Sequence, residues 1–183
     1  MDSDFTEKKL ASRLVYDGGL LKVREDEVRL PDGKTSRREY VVHPGAALML
    51  PIFEDGSLLL ERQYRYPIGR HCIELPAGKL EPGEPPLETA KRELLEETGY
   101  VAEEWRELGV LFPNVGYSDE RIAFFLARRL TFKQASLDEG EFLETMRVPL
   151  DEALGWLRAG KINDVKTMLG LLWAEKLVRG DWA

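Results

Sequence analysis

The sequence predicts an α/β protein carrying an N-terminal β extension, and three observations support this. Residues 20–42 alternate apolar and polar positions around Pro31-Asp32-Gly33-Lys34, a turn signal with a strand on each side. Pro85 and Pro86 are placed to open a helix and Gly99 to close it, because proline suits the first turn and glycine the position just past the last. Residues 150–159 and 164–178 carry amphipathic helical patterns, separated by Gly160.

Composition limits the rest. A chain of about 150 residues buries roughly 68–70% of its unfolded surface, so 183 residues suffice for one core and a short extension. Apolar and charged fractions of 43% and 32% are those of a soluble globular protein, with no low-complexity tract and no clear repeat. A net charge of −7 argues against nucleic acid as a partner and makes a bound cation more plausible. The opening MDSDFTEKKL lacks an apolar run and no stretch approaches the ~18 apolar residues of a membrane helix, so no membrane partner is expected and a cytoplasmic location is. Cys72 is the only cysteine, which rules out an internal disulfide, and it reads as a buried small hydrophobe.

Taken in order, residues 1–44 form the extension, with strand-like runs at 13–16, 20–30 and 36–42, the last two making a long hairpin. A hairpin is marginal alone and needs a surface to pack on. Residues 45–183 read as a compact mixed domain, beginning with strands 46–53 and 57–65 joined by Glu54-Asp55-Gly56. Within Arg62-Gln63-Tyr64-Arg65, strand alternation puts Arg62 and Tyr64 on one face and Gln63 and Arg65 on the other. Guanidinium forks suit phosphate and carboxylate oxygens, so Arg62 and Arg65 are candidate substrate-binding or structural anchors. Glu74, in Glu74-Leu75-Pro76-Ala77-Gly78, is a candidate to orient an arginine or to reach a metal site. His43 and His71 lack metal-ligand spacing and read as structural or surface groups. Strands at 104–112 and 120–130 follow, then an acidic loop at 137–144 and a strand at 145–148. Leu154, Leu157, Met168, Leu172 and Trp173 are expected core contacts, and the tail with Trp182 offers an alternative use as a dimer surface.

The helix at 86–98 is chemically unusual. At about 100° per residue, Leu87, Ala90, Leu94 and Thr98 form its core stripe, while Glu93, Glu96 and Glu97 gather within an arc of about 100° beside it. Glu93 and Glu97 are like charges at i,i+4, a repulsion of roughly 0.2–0.5 kcal/mol. Glu96 and Glu97 occupy the last turn, where the helix dipole prefers a cation. Arg92 supplies one positive charge, and hard divalent cations commonly bind through a few carboxylates together with substrate phosphates. The patch reads either as a metal and phosphate site or as a solvated acidic face.

The wider pattern favours the first reading. Gly78, five residues, Glu84, seven residues, then Arg92-Glu93-Leu94-Leu95-Glu96-Glu97-Thr98-Gly99-Tyr100 matches G-x5-E-x7-R-E-U-x-E-E-x-G-U at every fixed position, with an aromatic Tyr100 where an aliphatic residue is usual. The chain thus resembles the Nudix hydrolases. That resemblance implies an α/β/α sandwich with a mixed sheet, binding Mg²⁺ or Mn²⁺ and hydrolysing a nucleoside diphosphate linked to another group. It implies Glu93, Glu96 and Glu97 as metal ligands with the Ala77 carbonyl, and Arg92 and Glu84 as the groups that orient them. It also resembles the ADP-ribose pyrophosphatase branch in its R-Q-x-R run, its VYDGGLLKV and LPDGKTSRREY segments and the G-Y-S-D-E stretch at 116–120. For that branch the resemblance implies a small-molecule nucleotide substrate, hydrolysis of ADP-ribose to AMP and ribose 5-phosphate, and a homodimer whose N-terminal strands pair and help to bind adenine. It further implies a general base from the mobile acidic loop, with Glu141 first and Glu144 and Glu139 behind it.

One departure bears on substrate choice: Val115 stands where the branch carries a marker proline, with Pro113 two residues earlier. Another nucleotide sugar or a dinucleotide polyphosphate is therefore the alternative substrate. A ligand-binding regulator is the alternative class, and it predicts damaged box acids, which this chain does not have. The number of metals and the phosphorus attacked stay open at this level.

Overall fold

The computed structural model describes residues 4–137, 140 and 142–182. It divides into two compact units, residues 1–44 with 112–121, and residues 45–111 with 122–183.

The first unit is an antiparallel sheet of β1 (Lys8–Asp17), β2 (Lys22–Arg29) and β3 (Thr35–Val42), in that order. The hairpin expected from the alternation is β2–β3, in register from Lys22↔Val42 to Arg29↔Thr35. It turns on Gly33, which takes φ +87° and donates its N–H to the Leu30 carbonyl at 2.9 Å. The extension is larger than that hairpin, because β1 runs from Lys8 and pairs with β2 along its length. Lys8–Ser12 shows no alternation to reveal it, and all ten β1 residues are exposed, so backbone pairing alone makes it a strand.

Residues 112–121 also belong to this unit, clipped to β3. Val41 donates to the Tyr117 carbonyl at 2.9 Å, and its own carbonyl accepts from Asp119 N–H at 3.2 Å. Asp119 Oδ1 accepts the His43 N–H at 2.8 Å. Val115, at the departure from the family pattern, is 82% exposed.

The second unit holds β4 (Ala46–Pro51), β5 (Leu58–Arg65), β6 (Arg70–Glu74), β7 (Ala77–Lys79), α1 (Pro86–Thr98), β8 (Tyr100–Leu111), β9 (Ile122–Phe132), β10 (Leu143–Val148), α2 (Leu150–Arg158) and α3 (Val165–Val178). One sheet runs β7-β4-β9-β8, with β4 and β9 parallel and the other pairs antiparallel; a second runs β10-β5-β6. Although β4 and β5 are joined by the short 54–56 turn, they lie in different sheets; Ile52, just past β4, forms an isolated bridge with Leu58.

Alternation along the central strands builds two apolar layers. Ala47, Met49, Ala123, Phe125 and Ala127 pack with Ala90 and Leu94 of α1. Leu48, Leu50, Ile122, Phe124 and Leu126 pack on the other side with Leu154, Leu171, Ala174 and Leu177 of α2 and α3. This is the expected α/β/α sandwich.

One expectation about α3 is corrected. Leu154 is buried and Leu157 and Trp173 are partly so, but Met168 and Leu172 are 38% and 49% exposed. The amphipathic pattern expected over 164–178 is corrected with them: the helix is apolar nearly all round, so periodicity does not select its inner face. Gly170 does: a Cβ there would lie 2.2 Å from Leu75 Cδ1, so the Gly170 side meets the sheet. No helix among the described residues is long and apolar enough to cross a membrane.

Candidate active site

The helix α1 spans the predicted residues. Pro85 precedes it, and Gly99 ends it at φ +74°, its N–H donating to the Leu95 carbonyl at 2.8 Å. Leu94 and Ala90 are fully buried under β4 and β9, and this packing fixes the direction in which Glu93, Glu96 and Glu97 point.

Arg92 is the hub. Its Nε and Nη2 each donate to Glu84 at 3.0 Å, and its Nη1 reaches Glu96 Oε2 and Glu93 Oε1, both at 3.0 Å. Nη2 also donates to the Lys79 carbonyl at 3.3 Å. Glu84 is itself fixed by the Thr89 hydroxyl at 2.8 Å and the Glu81 N–H at 3.2 Å. The Arg92 guanidinium, with the Thr89 and Glu81 bonds, holds the Glu84 carboxyl well below the usual range, at about 2. Glu84 first, and then Glu96 and Glu93, raise the guanidinium's own pKa. Because α1 has no basic residue in its last turn, this guanidinium is the counter-charge that the dipole argument requires.

Gly78 makes room for the arrangement. A Cβ built there would fall 1.9 Å from Glu93 Cδ and 2.1 Å from its Oε1. Glu93 therefore lies directly over the Gly78 backbone, on β7 beside Ala77, in register with β4 at Leu48↔Ala77 and Ala47↔Gly78. Glu97 is 7% exposed on the buried side of the same turn. Among the described residues no set of three His, Cys, Asp or Glu converges at metal-ligand spacing, and Glu93 and Glu96 both meet the Arg92 guanidinium.

The other candidates form two further pairs. Arg65 Nε and Nη2 fork onto Glu74 Oε1 and Oε2 at 2.8 and 2.9 Å, so Glu74 orients an arginine, one of the two roles its sequence position suggests. The Arg65 pKa is raised chiefly by its bonds to Glu74, with smaller contributions from the charges of Glu97 and Asp164. Arg62, on the opposite face of β5, reaches Glu144 of β10 at 3.3 Å. Glu139 and Glu141 lie outside the described residues. Cys72 is buried, and His71 is exposed with its ring against Tyr64 at 5.3 Å.

Sequence reasoning missed the support behind Glu74. Lys166 Nζ lies 3.4 Å from Glu74 Oε2, and Thr167 Oγ1 accepts the Leu75 N–H at 2.9 Å. The available signal was Asp164 with Thr167 three residues on, an N-cap pattern that places both at the start of α3.

Comparison with known proteins matches residues 42–169 to the NUDIX domain. The chain belongs to the Nudix family. Residues 7–41 match the nucleoside diphosphate sugar hydrolase N-terminal domain. Among its relatives, a protein named methanol dehydrogenase activator from Bacillus methanolicus is 39% identical, the match covering 93% of this chain and 94% of that protein. An ADP-ribose pyrophosphatase from Bacillus subtilis is 38% identical over 92% of each chain, and one from Mycobacterium tuberculosis is 35% identical over 93% of this chain and 84% of its own. The crystal structure of an ADP compounds hydrolase superposes with a TM-score of 0.87 at 24% identity, covering 99% of this chain and 98% of the other, a likeness of fold.

Proposed function

We propose that this chain hydrolyses the diphosphate bridge of a nucleoside diphosphate sugar, with ADP-ribose the preferred substrate and AMP and ribose 5-phosphate the products. The observation that carries the reading is the acid set locked on Arg92 above Gly78, in a chain whose relatives include two ADP-ribose pyrophosphatases over nearly its full length. The intact acids favour turnover over a purely ligand-binding role.

The donor set fits a hard divalent cation. Glu93, Glu96 and Glu97 offer only carboxylate oxygens, and α1 itself carries no cysteine or histidine. The space a Cβ would fill at Gly78 is what lets Glu93 approach the β7 backbone. We assign these three carboxylates and the Ala77 carbonyl as the groups that would hold Mg²⁺ or Mn²⁺. When bound, the metal neutralises diphosphate charge and lowers the pKa of a coordinated water.

The protein's own groups do the rest. Arg92 keeps Glu93 and Glu96 in place and is itself held by Glu84. Arg65, pinned along one edge by Glu74, offers its remaining nitrogen to phosphate oxygens. A base takes a proton from water as the water oxygen bonds to one phosphorus; the bridge bond to that phosphorus breaks and the bridging oxygen leaves with the other phosphate. We assign this base to Glu141, with Glu144 and Glu139 behind it, on the resemblance of the acidic loop to that of the branch; such a base has to come within about 3 Å of the water. Glu144 is exposed and tied to Arg62.

We further infer a cytoplasmic homodimer. In support, edge strand β1 is exposed throughout, with Leu10, Leu14, Val15 and Tyr16 each more than 40% accessible on the unit that matches the N-terminal domain. Sedimentation of the wild type and of a truncation lacking residues 1–17 tests this: a dimer that becomes monomeric is expected, and a monomeric wild type contradicts it. Turnover of ADP-ribose with Mg²⁺, and its loss in Glu97→Gln, tests the activity.

A further inference from the structure

The hydrogen bonds at the start of α3 point toward the candidate site. Asp164 caps the helix, its Oδ2 accepting from Thr167 N at 2.9 Å and from the Thr167 hydroxyl at 2.8 Å. Its Oδ1 accepts from Lys166 Nζ at 2.7 Å, and that ammonium lies 3.4 Å from Glu74 Oε2. Thr167 Oγ1 accepts the N–H of Leu75, the residue after Glu74, and a Cβ on Gly170 would collide with Leu75 Cδ1. One face of α3 thus grips both residues that lead into Pro76-Ala77-Gly78.

Two carboxylates, Glu74 and Asp164, face two cations, Arg65 and Lys166. The Glu74, Asp164 and Lys166 side chains are 6%, 17% and 20% exposed, while Arg65 is 43% exposed. Lys166 neutralises Asp164 and shares Glu74, so the Arg65 guanidinium need not turn inward to balance both acids. Its Nε and Nη2 are fixed on Glu74, and Nη1 stands outside that fork.

We propose that the first turn of α3 is a positioning device for Arg65, with Lys166 its principal residue, and that it presents Arg65 to the diphosphate of the substrate. The proposal rests on the hydrolase reading above for its ligand. Lys166 is a positioning residue, acting through Glu74.

The test uses Lys166→Met, which keeps the aliphatic stem, Lys166→Arg, which restores the charge, and Asp164→Asn, which keeps the helix cap. Two readouts are taken on the full chain. The first is the Arg65 Nε–H resonance in a proton–nitrogen correlation spectrum, assigned by its loss in Arg65→Lys. The second is the split of KM and kcat on ADP-ribose with Mg²⁺. Lys166→Met is expected to broaden or shift the resonance and raise KM about tenfold, the scale of one weakened charge-assisted hydrogen bond. Its kcat should stay within about threefold and its melting temperature near wild type, and Lys166→Arg should recover both readouts. Asp164→Asn should move the same resonance less, and it serves if Lys166→Met does not fold. A resonance unchanged in the folded variants, or a fall in kcat with KM unaltered, overturns the proposal. If the wild type hydrolyses nothing, the hydrolase reading fails while the resonance still decides whether Lys166 positions Arg65.

Discussion

Replacing Gly78 by alanine separates folding from catalysis. The glycine is not at a positive φ, so alanine is compatible with its backbone, and such a change alters stability by only about 1 kcal/mol or less. The new Cβ, however, would lie 1.9 Å from Glu93 Cδ, and ordinary van der Waals contact begins at 3.4 Å. The atoms in its way are the far end of a flexible side chain, so Glu93 swings aside by about 1.5 Å and β7 stays in place. Displacements near 1 Å cost about 10²-fold in rate, so kcat is expected to fall by at least that factor, about 2.7 kcal/mol of barrier. The assay pairs steady-state kinetics on ADP-ribose with thermal unfolding, where the midpoint should move by no more than about 4 °C. Wild-type kcat/KM in Gly78→Ala would refute this account of the glycine, as would an activity loss that merely follows unfolding.

The fold and the acid pair make their own predictions. Glu84 has its carboxyl lowered from 4.5 to about 2 by Arg92, so its stabilising contribution is full above pH 4.5 and is lost as pH falls toward 2. Glu84→Gln should therefore flatten the acid limb of the stability curve in that window, measured by denaturant titration at stepped pH; an unaltered limb would show that the pair does not contribute. Phe124 is fully buried with its ring 6.0 Å from Trp173, so Phe124→Ala should cost about 3–5 kcal/mol in a denaturant titration. A loss below about 1 kcal/mol would contradict the assignment of Phe124 to the core between sheet and α3.

Much of this architecture is legible locally. The boundaries of α1 follow from Pro85, Pro86 and Gly99, and the β2–β3 turn from Pro31-Asp32-Gly33, because these residues act on their own backbone. The crowding of Glu93, Glu96 and Glu97 follows from helical spacing alone. What the sequence hides is set by distant partners. The first half of β1, Lys8–Ser12, has no alternation, since neither of its faces is buried, and it becomes strand only by pairing with β2. Nothing near Tyr117 or Asp119 announces that they hydrogen-bond to Val41, 76 residues or more away along the chain. Met168 and Leu172 look like core because α3 is apolar on most sides, and only the close approach of Gly170 to Leu75 decides its orientation. Arg92 was visible as one charge among acids, but its contact with three of them at once required the fold.

The most direct test of the central claim is turnover of ADP-ribose by the wild type and by Glu97→Gln, with and without Mg²⁺, following AMP and ribose 5-phosphate by chromatography. The account predicts equimolar products from the wild type only when metal is present, and a loss of about 10²-fold or more in a variant that remains folded. Absence of AMP from the wild type with Mg²⁺, or undiminished turnover by folded Glu97→Gln, would contradict it.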